Sequence, residues 1–574
     1  MDKSAFIAKA KSYIPILTWL PAYDKKNIRW DIIAGVTLAS FVLPESMAYA
    51  TLAGVPTYYG IYCCLAGGFF FALFTSARHV AVGPTSSMSL MIGSTVAVLS
   101  GGDPHRWAAI AELTALVVAI VCFLAYAFEL SSLVNFISDS ILFGFKAGAA
   151  LSIMITQLPK LFAIEAGGGN FFARLFNLFK HLPETNWVVL VFGLVALVLL
   201  FAGDKIMPGR PVSLIVVIIA ILVLSNSDLQ SKGIHVAGNI PGGLPKLDRP
   251  SLRFRDVDGV LELAFACFLM GFIETISAAK TFAIKNNYEI RPQQELLSMG
   301  FANLATSFLS GYVVSGGLSQ STVNEKSGAK TPLSLVVCSA TLVLLLLFFT
   351  GLLKNLPEVI LAVIVVHAVS GLIKVNDLKR TYQLSKLEFW VAMVAFAGVL
   401  FFGILKGVLL AVLMSMVLMI RRLSYPHVAL LGRVGNTGNY TDMERHPDNV
   451  LIKGVLILRI EAHILYFNAG HIRWKIAGFI QNYSGELRLV ILDLSATPFI
   501  DIEGSNMLLE LSEELRRSER KLRIADALFT VRDILRKQGL EEITGKISRK
   551  VSIDDMVKEF ETETGRNPGP GQSI

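Results

Sequence analysis

Charge is scarce in this chain. Only 17% of its 574 residues are Asp, Glu, Lys or Arg, against 53% hydrophobic, a balance that excludes an ordinary soluble enzyme. Cysteine is scarcer still. Cys63, Cys64, Cys122, Cys267 and Cys338 are odd in number and all lie in apolar segments, so they read as small buried hydrophobes, not as a disulfide framework or a metal site. The motifs of an ATP-driven or hydrolytic machine are missing too. Gly328-Ala329-Lys330-Thr331 resembles the end of a P-loop but lacks the upstream glycine, and there is no HExxH and no GxSxG with partners. The first residues, MDKSAFIAKAKSYIPILTWLPAYDKKNIRWD, are basic and amphipathic without an uninterrupted apolar core, so no cleavable signal peptide is expected.

What the chain has in abundance is long apolar blocks, among them 113–128, 187–201, 212–224, 333–349 and 389–402. Several approach or reach the roughly 20 residues that cross a hydrocarbon core. Beyond Arg421-Arg422 the composition becomes that of a soluble domain. The expected layout is an N-terminal cytoplasmic segment 1–27, a membrane domain 28–423 with repeats 28–226 and 259–423, a cytosolic domain 440–560 and a disordered tail 561–574. The net charge of +8 does not call for nucleic acid, because Lys25, Arg29, Arg78, Lys205, Arg210, Lys285, Arg291, Lys379 and Arg421 flank hydrophobic spans. With the N-terminus inside they all fall on the cytoplasmic side; the basic stretch 232–255 is an exception.

An even span count of fourteen is expected, of which thirteen are separately visible; the missing crossing is expected within 313–350. Seven spans per half require the second half to be inserted upside down, an inverted repeat. In the C-terminal part, strand-like runs at 450–460, 487–494 and 521–525 alternate with helical patterns at 471–481, 504–518 and 529–538, which indicates a small α/β domain.

Two matched features carry the chemistry. Glu45 lies deep in one apolar segment, and 38 residues later comes Gly83 in the broken run Val80-Ala81-Val82-Gly83-Pro84-Thr85-Ser86. Glu274 lies deep in another, and Gly316 follows 42 residues later in Val313-Val314-Ser315-Gly316-Gly317-Leu318-Ser319. A charge in the bilayer costs at least a few kcal/mol and persists where it has a task. Matched interrupted segments point to a transporter's substrate site. Each run reads as an extended stretch, Val80–Val82 or Tyr312–Val314, opening a half-helix whose free N–H groups and dipole end can hold an anion.

The candidate substrate residues are Glu45, Val82, Gly83, Pro84, Thr85 and Ser86 from the first half, with Gly316, Gly317, Leu318, Ser319 and Gln320 from the second. Ser87, Ser321 and Asn324 could also donate to an oxyanion or simply cap the half-helices. The coupling ion, a proton or sodium, is assigned to Glu274 with Ser277. Competing readings are close helix packing for the glycines and a structural hydrogen bond for each acid. Pro44 is expected to interrupt or kink the first span. Lys146, His367, Glu112 and Glu129 have no matched partner and read as snorkelling or boundary residues.

These motifs resemble the SulP family of anion transporters. PESMAYATLAGVPTYYGIY (44–62) is similar to that family's first-span signature, HVAVGPTSSMSLMIG (79–93) to its third-span motif and SGGLSQSTVNEKSGAKTPLS (315–334) to its tenth. LVILDLSATPFIDIEGSNML (489–508) resembles the core of a STAS domain. The resemblance implies a multi-span α-helical membrane protein of uracil-permease-like fold, a 7+7 inverted repeat of 14 segments, with a C-terminal α/β STAS domain. It also implies a core of spans 1–4 and 8–11 moving against a gate in an elevator-like cycle, substrate between the third and tenth half-helices, and a homodimer.

Three residues depart from the family pattern. Glu45 stands where many relatives have Gln, Gln320 where many have Arg, and Glu503 where anti-sigma-antagonist relatives have a phosphorylated Ser. The first two weaken attraction for a dianion and favour proton coupling or a monoanion. The third argues against a phosphorylation switch.

The function expected is secondary transport of a small inorganic anion, sulfate first, across a cell inner membrane with both termini cytoplasmic, by proton symport. Sodium-coupled bicarbonate or proton-coupled dicarboxylate transport are alternatives, as are an anion channel or sensor acting through the STAS domain and a nucleobase permease. No cofactor, metal or nucleic-acid partner is expected; the lipid bilayer is.

Overall fold

A helix can cross lipid because it satisfies its own backbone; less regular chain must be buried in protein or face water. The computed structural model describes residues 13–564 apart from 102, 133–138, 166, 168, 208–210, 237, 239–240, 248, 251–256 and 549–550. It divides into two compact units, the first ending at Ser415 and the second beginning at Met416.

The first half of the membrane part runs α1 (Ile28–Ala53), α2 (Thr57–Phe74), β1 (Ala81–Gly83), α3 (Ser86–Ser100), α4 (Pro104–Ala127), α5 (Asp139–Phe162), α6 (Phe171–His181), α7 (Trp187–Ile206) and α8 (Val212–Ser225). The second repeats that order with α9 (Val257–Lys285), α10 (Pro292–Phe308), β2 (Ser315–Gly317), α11 (Leu318–Lys326), α12 (Leu333–Phe348), α13 (Glu358–Ser370), α14 (Val375–Leu384), α15 (Lys386–Phe402) and α16 (Ile404–Ser424). Setting aside α6 and α14, each half has seven crossing segments, the third being a strand leading into a half-helix. This is the fourteen-segment inverted repeat.

Eight helices among the described residues are long and apolar enough to cross a membrane, and α3, α8 and α12 are shorter apolar helices. The crossing that the apolar runs did not separate is α11, the half-helix expected after the second broken run, nine residues long and ending before α12 begins. Its polar composition, LSQSTVNEK, hides it from any search for apolar runs. Residues 133–138, which precede α5, lie outside the described residues. Pro44 does not break α1, which is helical on both sides of it. Packing by α2, α3, α11 and α12 holds the helix through the lost hydrogen bond.

Two short amphipathic helices were not foreseen. α6 and α14 occupy matching places between the fifth and sixth segments of each half, and α6 exposes Phe172, Phe176 and Phe179 at helical spacing.

Two buried carboxylates tie the halves together. Asp31, in the first turn of α1, accepts from the N–H groups of Lys330 (2.7 Å) and Thr331 (3.1 Å), the Thr331 hydroxyl (2.7 Å) and the Tyr23 hydroxyl (2.9 Å). Glu295, in the first turn of α10, accepts from the Thr75 hydroxyl (2.7 Å), the Ser76 N–H (2.8 Å) and the Ser76 hydroxyl (2.7 Å). Each acid grips a turn of the opposite half: 330–331 follows α11, and 75–76 precedes β1.

The second unit holds a five-stranded sheet in the order β4-β3-β5-β6-β7, from β3 (Val428–Arg433), β4 (Tyr440–Asp442), β5 (Val455–Ile460), β6 (Leu489–Asp493) and β7 (Lys521–Ala525). β5, β6 and β7 are parallel; β3 is antiparallel to both β4 and β5. Alternation along β5 sends Leu456, Leu458 and Ile460 into one core with α17 (Ala469–Gln481) and α18 (Ile502–Arg517), while Val455 and Ile457 meet the last helix, Ile553–Glu563, on the other face. The sequence reading missed β3 and β4. It also placed 561–563 in a disordered tail, whereas they complete that last helix; 565–574 lie outside the described residues.

Replacing Asp31 by Ala leaves two partly buried backbone N–H groups and the Thr331 hydroxyl without this acceptor, a loss of roughly 2–4 kcal/mol. Asp31→Ala should lower the unfolding temperature of the purified protein markedly, and Asp31→Asn should recover part of it; an unchanged melting curve for the alanine variant contradicts this role.

Candidate functional site

The two broken segments meet. β1 and β2 pair antiparallel, Ala81 opposite Gly317, Val82 opposite Gly316 and Gly83 opposite Ser315, and all six residues are buried. The second strand lies just beyond the expected run Tyr312–Val314. A Cβ on Gly316 would sit 2.9 Å from Thr275 Cα and 3.0 Å from Val80 Cγ1, so the β-branched residues cannot occupy the crossing point and glycine does.

A ribbon this short leaves backbone groups unpaired, and side chains take them up. From α11, the Ser321 hydroxyl accepts the Ala81 N–H (2.9 Å), Gln320 Nε2 donates to the Pro84 carbonyl (3.1 Å) and Asn324 Nδ2 donates to the His79 carbonyl (3.1 Å). Around the second segment, Asn303 of α10 accepts the Val314 N–H (2.9 Å) and donates to its carbonyl (3.1 Å), and the Thr275 hydroxyl accepts the Gly316 N–H (2.8 Å). Cys63 Sγ accepts the Tyr312 N–H (3.1 Å), so this cysteine does more than fill space.

Each strand opens a half-helix. Thr85 caps α3, its hydroxyl accepting the Met88 N–H at 3.5 Å, and Gly317 precedes α11. The first N–H groups of both helices, and the positive ends of their dipoles, therefore lie beside the ribbon.

The two acids have different surroundings. Glu274 accepts three hydroxyl hydrogen bonds: from Thr85 (3.2 Å) and Ser315 (3.1 Å) on Oε2, and from Ser87 (2.8 Å) on Oε1. It joins both broken segments through their side chains. Glu45 is 3% exposed and accepts one bond, from the Tyr49 hydroxyl to Oε1 at 3.0 Å. Its Oε2 has no partner among the described residues, and neither has Gln320 Oε1. The Gln320 amide adjoins the Glu45 carboxyl and fills the space beside Gly83, where a Cβ would lie 3.0 Å from Gln320 Oε1 and 2.9 Å from Cys64 Sγ.

Of the residues proposed from sequence, Glu45, Val82, Gly83, Pro84, Thr85, Ser86, Gly316, Gly317 and Gln320 are buried together, and Ser86 neighbours the Tyr49 hydroxyl. Leu318 (45% exposed) and Ser319 face outward at the start of α11. Ser277 is exposed and takes no part in the hydrogen bonding of Glu274, whose hydroxyl partners are Thr85, Ser87 and Ser315 instead. Tyr49 and Asn303 were missed. Their signals are modest: a hydroxyl one turn from Glu45, and a lone amide in the run GFANLATSF.

Outside the site, His367 Nε2 lies 3.2 Å from Asp204 and its ring packs on Phe201. Glu112 is buried beside Tyr59, not at a boundary, Lys146 is half-buried on α5, and Glu129 is exposed past the end of α4.

Residues 28–395 match the model of the sulfate permease family, and 446–552 match the STAS domain model. A probable sulfate transporter of Mycobacterium tuberculosis is 28% identical, with 95% of this chain and 99% of the relative aligned. Sulfate transporter 2.2 of Arabidopsis thaliana is 31% identical over 93% of this chain and 83% of its own. Among solved structures, the murine Solute Carrier 26 family member A9 anion transporter in the inward-facing state superposes with a TM-score of 0.88, at 22% identity, over 97% of this chain and 95% of that one.

Gly316→Ala forces a methyl against the backbone of α9 and should destabilise the protein by roughly 1–3 kcal/mol and abolish transport. Ser315→Ala, which removes one of three donors to Glu274, should fold normally with weakened transport. A Gly316→Ala protein of unaltered melting temperature and uptake would contradict the ribbon's role.

Proposed function

The chain belongs to the sulfate permease family, and on that premise we propose that it is a secondary active transporter of a small inorganic anion, sulfate first, that brings in a proton with each anion. The observation that carries the proton is the charge balance of the site. Two half-helix N-termini supply roughly half a positive charge each. Glu45 and Glu274 together supply two negative charges, and the segments 79–87 and 312–321 hold no Lys or Arg. Empty of protons, the site repels anions. One proton leaves the two dipole ends opposite a single carboxylate, and an anion then has a place.

The hydrogen bonds favour Glu45 as the proton's seat. The carboxylate of Glu274 already accepts three hydroxyl donors that stabilise its charged form, whereas Glu45 accepts one and its Oε2 has none. A proton on Oε2 turns an unpaired acceptor into a donor facing the Gln320 amide. This moves the coupling role from Glu274, where the sequence suggested it, to Glu45. Glu274 then serves to hold the hydroxyls of Thr85, Ser87 and Ser315 in place at the anion site.

In this reading the protein lies in a cell inner membrane as a homodimer with both termini cytoplasmic. The ribbon β1–β2 and the helices packed on it move together in an elevator-like cycle. The mutual grip of the halves through Asp31, Glu295 and α11 supports motion as one body.

Proteoliposomes should accumulate radiolabelled sulfate under an imposed inward proton gradient. Glu45→Gln should abolish the response to pH while leaving downhill uptake, and Glu274→Gln should weaken apparent affinity. Competition by bicarbonate, succinate and chloride ranks the substrates. Uptake that required sodium and ignored pH, or flux that never exceeded the anion's own gradient, would rule the proposal out.

A further inference from the structure

Four buried polar atoms without a hydrogen-bond partner among the described residues belong to Glu45 and to one face of the adjoining half-helix. They are Glu45 Oε2, Gln320 Oε1, Asn324 Oδ1 and Ser327 Oγ. Gln320, Asn324 and Ser327 are spaced i, i+4 and i+7, so they share one face of α11 and its cap. Gln320 and Asn324 are 2% and 0% exposed. Their nitrogens are already committed to the carbonyls of Pro84 and His79, which identifies the unpaired atoms as oxygens. At 1.5 Å per residue, the stripe from Gln320 to Ser327 is about 10 Å long.

Buried acceptors without donors are rare, and ordered water is their usual partner. Side chains four apart on a helix are about 6 Å apart, a gap that one water spans with two hydrogen bonds of about 2.8 Å. We propose that a file of water molecules runs along this face of α11, from Glu45 past Gln320 and Asn324 to Ser327, and conducts the coupling proton. The inference rests on Glu45 as the proton's seat and adds the route by which the proton leaves. The O–H bond on Glu45 Oε2 breaks as the first water gains that proton. Each water passes one on, and the last releases one beyond Ser327, so Glu45 is left as carboxylate and no water is consumed. Lys326 and Lys330 flank the Ser327 end, which the positive-inside rule assigns to the cytoplasm.

None of the side chains along the file is among the hydroxyls of Thr85, Ser87 and Ser315 that bond to Glu274. The titratable groups facing its inner end are Tyr49 on α1 and Cys64 on α2, with Glu274 of α9 beyond Tyr49. Around the half-helix's outer end stand His79, Lys285 and Glu325, the last two ion-paired at 2.8 Å.

The test compares two fluxes of radiolabelled sulfate in proteoliposomes: uptake driven by a proton gradient, and sulfate–sulfate counterflow at equal pH. Ser327→Val should slow driven uptake about tenfold and leave counterflow unchanged, with Ser327→Thr restoring the wild-type rate. A Ser327→Val protein that keeps full driven uptake, or loses both fluxes equally, overturns the file. Glu45→Gln separates the two ideas. If it abolishes the pH response while Ser327→Val does not, the seat stands and the route falls; if it leaves the response intact, the seat itself falls. A high-resolution density map of the full chain gives an independent reading: waters within hydrogen-bond distance of Gln320 Oε1 and Asn324 Oδ1 support the file, and a dry seam or a sodium ion there overturns it.

Discussion

Everything at the centre of this protein depends on one constraint: a backbone out of regular structure must still find a partner for each N–H and C=O away from water. Six paired residues of β1 and β2 cannot do this alone. The remaining groups are met by Ser321, Gln320 and Asn324 on one side and by Asn303, Thr275 and Cys63 on the other. Polar side chains inside an apolar bundle are thereby committed to fixed positions. The half-helix starts they hold are fixed with them.

The same logic governs the acids. Asp31, Glu295 and Glu274 each gather neutral donors from the segments around them. Carboxylates with several acceptor sites suit this work, because one side chain can hold a turn by both its N–H groups and its hydroxyls. Glu45 breaks the pattern with one donor and one unmatched oxygen. It adjoins Gln320, at the head of a line of unmatched oxygens.

Much of this was legible in the sequence. The two acids and two glycine-broken runs were found by their matched spacing, because a charge or a Gly-Pro break stands out against apolar residues. The core strands and helices of the C-terminal unit showed through their alternation. What stayed hidden has physical reasons. α11 is polar because it is buried against another segment's backbone, so hydropathy could not see it. The strand register depended on the room at Gly316, which Thr275 and Val80 define. Ser277 follows Glu274 by three residues, as a ligand pair would, yet the contacts of Glu274 come from across the bundle. Pro44 reads as a break in isolation, and surrounding helices override it. Asp31 and Glu295 carried no signal, since an acid at a helix start usually only caps it.

The dependence of β1 on α11 also has a consequence for biosynthesis. The partners of His79, Ala81 and Pro84 lie at 320–324, some 240 residues further along the chain. At roughly 5–20 residues per second, a ribosome needs about 12–50 s to make them. Throughout that interval the backbone groups of His79, Ala81 and Pro84 lack the side-chain partners they have in the finished fold. The first half cannot complete this hydrogen bonding until the second has been made.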